Sequence, residues 1–154
     1  MLFRSVENIG IIGEKLDLPF YDFIQAEFVT PYIHPGNKVS SMVGFNMAGI
    51  DIQVGKDVAM QIAAMSPVSI DVADVPKEVM DKEYEIGKEQ ARNEGKPEDM
   101  LDKIAQGRLQ KFYKESTLLN QAFIKDNKIT IKQYLEQQKK GLAPVKFLRY
   151  SLNL

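Results

Sequence analysis

Phe28-Val29-Thr30-Pro31-Tyr32-Ile33 and Val39-Ser40-Ser41-Met42-Val43-Gly44-Phe45 flank the sequence His34-Pro35-Gly36-Asn37. Both runs are rich in β-branched and aromatic residues and alternate in polarity, so each reads as a strand. Proline followed by glycine is a strong turn signal, and the whole reads as an antiparallel hairpin. Pro31 lacks a backbone donor, which makes its strand an edge strand or places a bulge there. Working outward, Ile9 to Phe23 offers another strand or two upstream. Downstream, Leu118 to Lys125 reads as strand or extended chain, and Pro144 to Tyr150 reads as a last strand. Strands at both ends with helices between them predict an α+β domain whose N- and C-terminal strands share one antiparallel sheet.

The middle of the chain is helical. Val54, Val58, Ile62 and Met65 recur at steps of four, four and three, one face of a helix that Pro67 ends. Asp74 offers an N-cap, with Pro76 just inside the next helix. That helix carries Met80, Tyr84, Gly87 and Ala91 on a narrow heptad seam up to about Asn93. Glu94-Gly95-Lys96-Pro97 turns the chain, and Glu98 and Asp99 sit where the next helix dipole favours acids. Leu101, Ala105, Leu109 and Phe112 make the matching seam. Two thin seams with charged flanks predict an inserted antiparallel helical hairpin, a coiled coil over about 75–114, each helix reaching roughly 24 Å. Thr130 with Gln133 is a capping box, opening a further helix that Gly141 ends.

Composition narrows the functional classes. The chain has 154 residues, 44% apolar and 27% charged, with 20 Lys+Arg against 21 Asp+Glu. That is enough for one domain with a core, or two small lobes sharing one, without the basic excess of a duplex-binding or polybasic membrane surface. There is no cysteine and one histidine, so Cys-based metal sites, cysteine nucleophiles and a His-rich centre are excluded. No apolar run approaches the roughly 20 residues that span a bilayer. Gly10-Ile11-Ile12-Gly13 lacks the third glycine of a dinucleotide fingerprint. Asp81 with Glu85 reads as a solvated helix face, and Met60, Met65, Met80 and Met100 read as core or seam fillers. His34 sits in a turn. Such a histidine is most often simply exposed, and the functional alternative is a contact residue held out by a rigid hairpin.

Three segments, YIHPGNKVSSMVGFN (32–46), DVAMQIAAMSP (57–67) and KIAQGRLQKFYKESTLLNQAFIKD (103–126), together resemble the bacterial elongation factor Ts family. The stretch from Gly107 to Asp126 is the most specific, and the likeness runs from about Val6 to Tyr150. In that family the region is the dimerisation domain, an α+β core with an inserted coiled-coil hairpin. The resemblance implies a cytoplasmic translation factor that promotes GDP release from elongation factor Tu, without covalent chemistry, cofactor, nucleic acid or membrane. A homodimer is a further possibility. The family's turn histidine reaches toward the partner's phosphate-binding loop, and His34 matches it, with Pro35 and Gly36 shaping the turn. Glu7 and Asn8 match the last two positions of the family's Gly-Glu-Asn motif and are implied as further partner contacts. The runner-up reading is a stand-alone interaction module that uses the charged hairpin.

Two departures qualify the likeness. The family carries a small three-helix domain and a Thr-Asp-Phe-Val wedge ahead of its Gly-Glu-Asn motif, and these 154 residues contain neither. Tyr21-Asp22-Phe23-Ile24 imitates the wedge but follows Glu7-Asn8, so it is coincidence, and Phe23 reads as strand or loop core. Val6 stands where the family has glycine. Leu2-Phe3-Arg4-Ser5 is what CTCTTCCGATCT, a common sequencing-adapter end, encodes. Residues 1–5 are therefore expected to be a non-native leader, and 6–154 the family's domain. The expectation is a fragment that folds, binds and exchanges nucleotide poorly.

Overall fold

The computed structural model describes residues 2–15 and 21–152. Helix α1 (Leu2–Ile12) comes first. It replaces the strand expected from Ile9, and residues 16–20 of that expected strand region lie outside the described residues. A short apolar run does not distinguish strand from helix by periodicity alone, which is why Ile9–Ile12 misleads.

Strands β1 (Phe28–Ile33) and β2 (Val39–Phe45) form the anticipated hairpin, pairing from Phe28 with Phe45 to Ile33 with Ser40. β2 also pairs antiparallel with β5 (Pro144–Ser151), giving the order β1-β2-β5. Pro31 thus sits in an edge strand, opposite Met42 and without a register shift. Helix α2 (Ile52–Met65) packs across one face of this sheet. Asp51 caps it by accepting from Gln53 N–H at 2.8 Å. Ser66, in the left-handed region at φ 48°, closes its end before Pro67. Val54, Val58 and Ile62 are buried as their spacing predicts, whereas Met65 at the last turn is largely exposed. Gly55 lets the helix approach β1, because a Cβ there would collide with the Thr30 hydroxyl.

Helices α3 (Lys77–Asn93) and α4 (Leu101–Ser116) are the projecting pair. Pro76 is itself the N-cap of α3, not its first helical residue. Asp74 caps nothing there. It belongs to a short 3-10 turn, Val72–Asp74, that Asp71 caps. At the tip, Gly95 at φ +73° donates to Arg92 O and Lys96 N–H donates to Ala91 O, a Schellman closure. The seam buries Gly87 and Ala91 against Leu101 and Ala105, while Met80, Tyr84, Leu109 and Phe112 are half-buried. Met100 is exposed, not a filler.

The chain returns through a 3-10 turn, Leu118–Asn120, into a two-stranded hairpin, β3 (Ala122–Phe123) and β4 (Asp126–Thr130). Helix α5 (Ile131–Gln138) follows, with the Thr130–Gln133 capping box formed in both directions at 3.2 and 2.9 Å. The core lies between the sheet, α2 and α5, around Val43, Phe45, Ile62, Leu118, Ile131 and Leu135.

Candidate functional site

The β1–β2 turn is tightly built. His34 N–H donates to Val39 O at 2.9 Å, and Asn37 N–H donates to His34 O at 2.9 Å. Pro35 then occupies the position that favours φ near −65°, and Gly36 takes φ +91°, the arrangement of a type II turn. Asn37 follows in the left-handed region at φ 56°. The C-terminal strand braces the same turn, since Leu152 N–H donates to Lys38 O at 2.7 Å. His34 is exposed, and its Nδ1 lies 3.1 Å from the Tyr32 hydroxyl, with the two rings tilted at 6.1 Å between centroids. With that hydroxyl donating, a neutral ring carries its proton on Nε2, the nitrogen left for an outside acceptor. The turn therefore presents one oriented imidazole on a fixed backbone.

Glu7 and Asn8 lie on α1, both exposed. Among the described residues no hydrogen bond joins either to the turn, so the structure links Pro35 and Gly36 to His34 but does not link these two. Phe23 is exposed in a loop and is not core. Its neighbours Ile24 and Ala26 instead lie over Gly44 on the outer face of the sheet. Lys146 pins this segment by donating to Asp22 Oδ1 and Phe23 O, each at 3.2 Å. The Phe23 N–H and then the Lys146 ammonium hold the Asp22 carboxyl below its ordinary range.

A second polar cluster was not legible in the sequence. Asp57, buried on α2, accepts from Gln53 Nε2 and Lys125 Nζ at 2.7 Å each and from Tyr134 OH at 2.9 Å. Burial alone would raise its pKa, but these three donors outweigh it and the carboxyl is lowered. Tyr134 is raised, by burial first and by its bond to Asp57 second. A carboxylate so fully engaged joins α2 to α5 and the β3–β4 turn, leaving little capacity for chemistry. Its one sequence signal is that Asp57 and Gln61 fall one turn apart on the buried side of α2. Among the described residues, no cluster of three or more metal-ligating side chains forms, and no helix is long and apolar enough to cross a membrane.

The architecture is thus an α+β domain with an inserted two-helix arm and an exposed histidine at a braced turn. A sequence model described as "Elongation factor TS" matches residues 4–153. The chain is 47% identical over 148 residues to an elongation factor Ts from Azobacteroides pseudotrichonymphae, covering 96% of this chain and 54% of that one. Against the Porphyromonas gingivalis protein of the same name, the figures are 49% over 147 residues, 96% and 53%. For Amoebophilus asiaticus they are 51% over 148 residues, 95% and 53%. The chain belongs to the elongation factor Ts family. It spans about half the length of the curated relatives it matches.

Proposed function

We propose that this chain is the partner-binding part of a guanine-nucleotide exchange factor for elongation factor Tu, working in the cytoplasm during translation. The observation that carries the reading is the single histidine of the sequence, set on a turn fixed by β1, β2 and β5 with its Nδ1 engaged by Tyr32. An imidazole so presented suits insertion toward a phosphate-binding loop. Pro35 and Gly36 hold the turn's shape, and Glu7 and Asn8 add contacts from α1. A factor that binds the nucleotide-free partner more tightly must, by linkage, weaken the partner's hold on GDP by the same ratio. No bond in the partner or the nucleotide need break, so no catalytic group is required.

The experiment is GDP release from elongation factor Tu, with binding measured alongside. The 154-residue chain is expected to bind but to accelerate release only weakly, since it contains no wedge motif. Release at the rate of a full-length relative would refute that requirement. His34→Ala should weaken binding roughly tenfold, about 1.4 kcal/mol, with the circular dichroism spectrum unchanged. Unaltered affinity would remove His34 from the interface. Self-association without capture of elongation factor Tu would favour the arm as a stand-alone interaction module.

A further inference from the structure

The arm leaves the body through Val68–Val75 and returns through Ser116–Gln121, and these two segments are zipped together. Ser69 and Thr117 form a parallel bridge. Val68 N–H donates to Ser116 O at 2.8 Å, Leu118 N–H to Ser69 O at 2.9 Å, and Leu119 N–H to Ile70 O at 2.9 Å. Side chains then cross-tie this short ladder. Asn120 Nδ2 donates to Asp71 Oδ1 and to Thr117 Oγ1, both at 2.8 Å. Gln121 is 1% exposed. Its Nε2 donates at 2.9 Å to Glu115 O in the last turn of α4, and its Oε1 accepts from Gln61 Nε2 of α2 at 3.1 Å. Gln61, fully buried, also donates to Ala122 O at 3.1 Å and accepts from Ile124 N–H at 2.9 Å. Each of these buried amides has a partner, and a swing of α4 at its base would break the Gln121–Glu115 bond and leave a buried amide donor open inside the body, a costly outcome.

We propose that this root lock holds the arm at one fixed angle to the body, making the arm a rigid lever rather than a hinged flap, with Asn120 and Gln121 as its positioning residues. The two bind different sides of the root. Asn120 ties the returning segment to the outgoing one at Asp71, whose Oδ1 also caps the 3-10 turn through Val72 N–H at 2.7 Å. Gln121 ties the base of α4 to α2. The geometry of a lever makes the angle matter. On an arm about 25 Å long, a pivot of about 20° carries the tip roughly 9 Å, far more than a hydrogen-bonded or packed contact tolerates. An arm fixed in this way presents its surface and the His34 turn in one constant relation to any partner that meets both.

The absence of cysteine from the sequence allows a clean distance measurement. Spin labels go on Lys96→Cys at the arm tip and Lys132→Cys on α5, both exposed positions. The whole chain should give a single narrow distance distribution. Asn120→Asp sets two carboxylates against each other at the root and should broaden or displace the distribution by several ångströms, the scale of that ~9 Å tip movement. Asn120→Ala, which removes the donor to Asp71 and Thr117 without adding charge, should broaden it less. Gln121→Met, similar in size but without the bonds to Glu115 and Gln61, should broaden it again. Circular dichroism and thermal melting report whether each variant remains folded. A broad distribution in the unaltered chain overturns the proposal. So does a native-width distribution in folded Asn120→Asp. Should Gln121→Met not fold, the two Asn120 variants decide alone.

Discussion

The body and the arm are stabilised by different means. In the body, Phe45, Ile62, Leu118, Ile131 and Leu135 are buried almost completely, and Phe123 stacks on Tyr134 at 4.3 Å between ring centroids. Each such aliphatic or aromatic side chain gains about 1.5–3 kcal/mol on burial. The arm helices bury Gly87, Ala91, Leu101 and Ala105. Three of these four have almost no side chain to transfer from water. What they permit is a close approach of two helices, and the flanks are then laced by charge: Lys88 to Asp102 at 2.8 Å, Arg92 to Glu98 at 2.9 Å and Arg108 to Glu94 at 2.6 Å. A seam of small residues depends on backbone distance, whereas the body depends on side-chain volume. Substitutions that alter volume should therefore injure the body, and those that alter spacing should injure the arm.

The largest effect is expected in the body. Ile62→Ala removes a fully buried side chain from the contact between α2 and the sheet. It should cost about 2–5 kcal/mol, seen as a fall in the denaturant midpoint for the whole chain. If the loss were confined to a few tenths of a kcal/mol, the site would be collapsing around the cavity and the core less tightly packed than its burial indicates.

Spacing is next. A Cβ on Gly87 would sit 3.3 Å from Ala105 Cα and 3.5 Å from its Cβ. Backbone cannot step aside as a flexible side chain can. Gly87→Val should splay the arm and cost about 1–3 kcal/mol, less the fraction of a kcal/mol that leaving glycine returns in helix propensity. Hydrogen exchange should show α3 and α4 losing protection while β2 keeps it. Equal loss in both regions would mean that arm and body unfold as one unit.

This division is partly legible in the sequence. The heptad steps through Tyr84, Gly87 and Ala91 and through Leu101 and Ala105 mark a seam too thin for a body helix. The polarity pattern around His34-Pro35-Gly36-Asn37 marks the hairpin and its edge strand. Thr130 and Gln133 mark α5. Local signals of this kind survive because the physics that sets them is local. Asp74 misled because two acids lie close before α3, and only the return of Asn120 shows that Asp71 is the joint. Strand β4, with its exposed Asp126, Asn127 and Lys128, has no strand-like composition, and its pairing with β3 supplies what propensity does not. The Asp57 and Gln61–Gln121 clusters join residues more than fifty positions apart in sequence, which no spacing rule connects. Of the candidate site, the turn was legible, while the Tyr32–His34 bond and the brace from Leu152 came only with the fold.

Asp57 tests the body's polar side. Its folded-state pKa lies below the ordinary aspartate value, so its contribution is fully present above about pH 4 and is lost as pH falls through the folded value. Lys125 remains about half exposed and keeps much of its hydration. Asp57→Asn should therefore cost only about 1–2 kcal/mol at pH 7. It should also flatten the fall in denaturant midpoint below about pH 4. An unchanged acid limb would assign that fall to other carboxylates.

The smallest effect belongs to the arm's charges. Lys88 first, and then Tyr84, lower the Asp102 carboxyl, yet that side chain is 73% exposed. Water and salt screen such a pair, and holding two long side chains in register costs entropy. Asp102→Asn should leave the melting temperature within experimental scatter, and raising the salt should change the two proteins alike. A fall as large as that of Gly87→Val would contradict the contrast at its weakest point. It would mean that charge, rather than the close approach at Gly87 and Ala105, holds the two helices together, and high salt alone should then be enough to separate them.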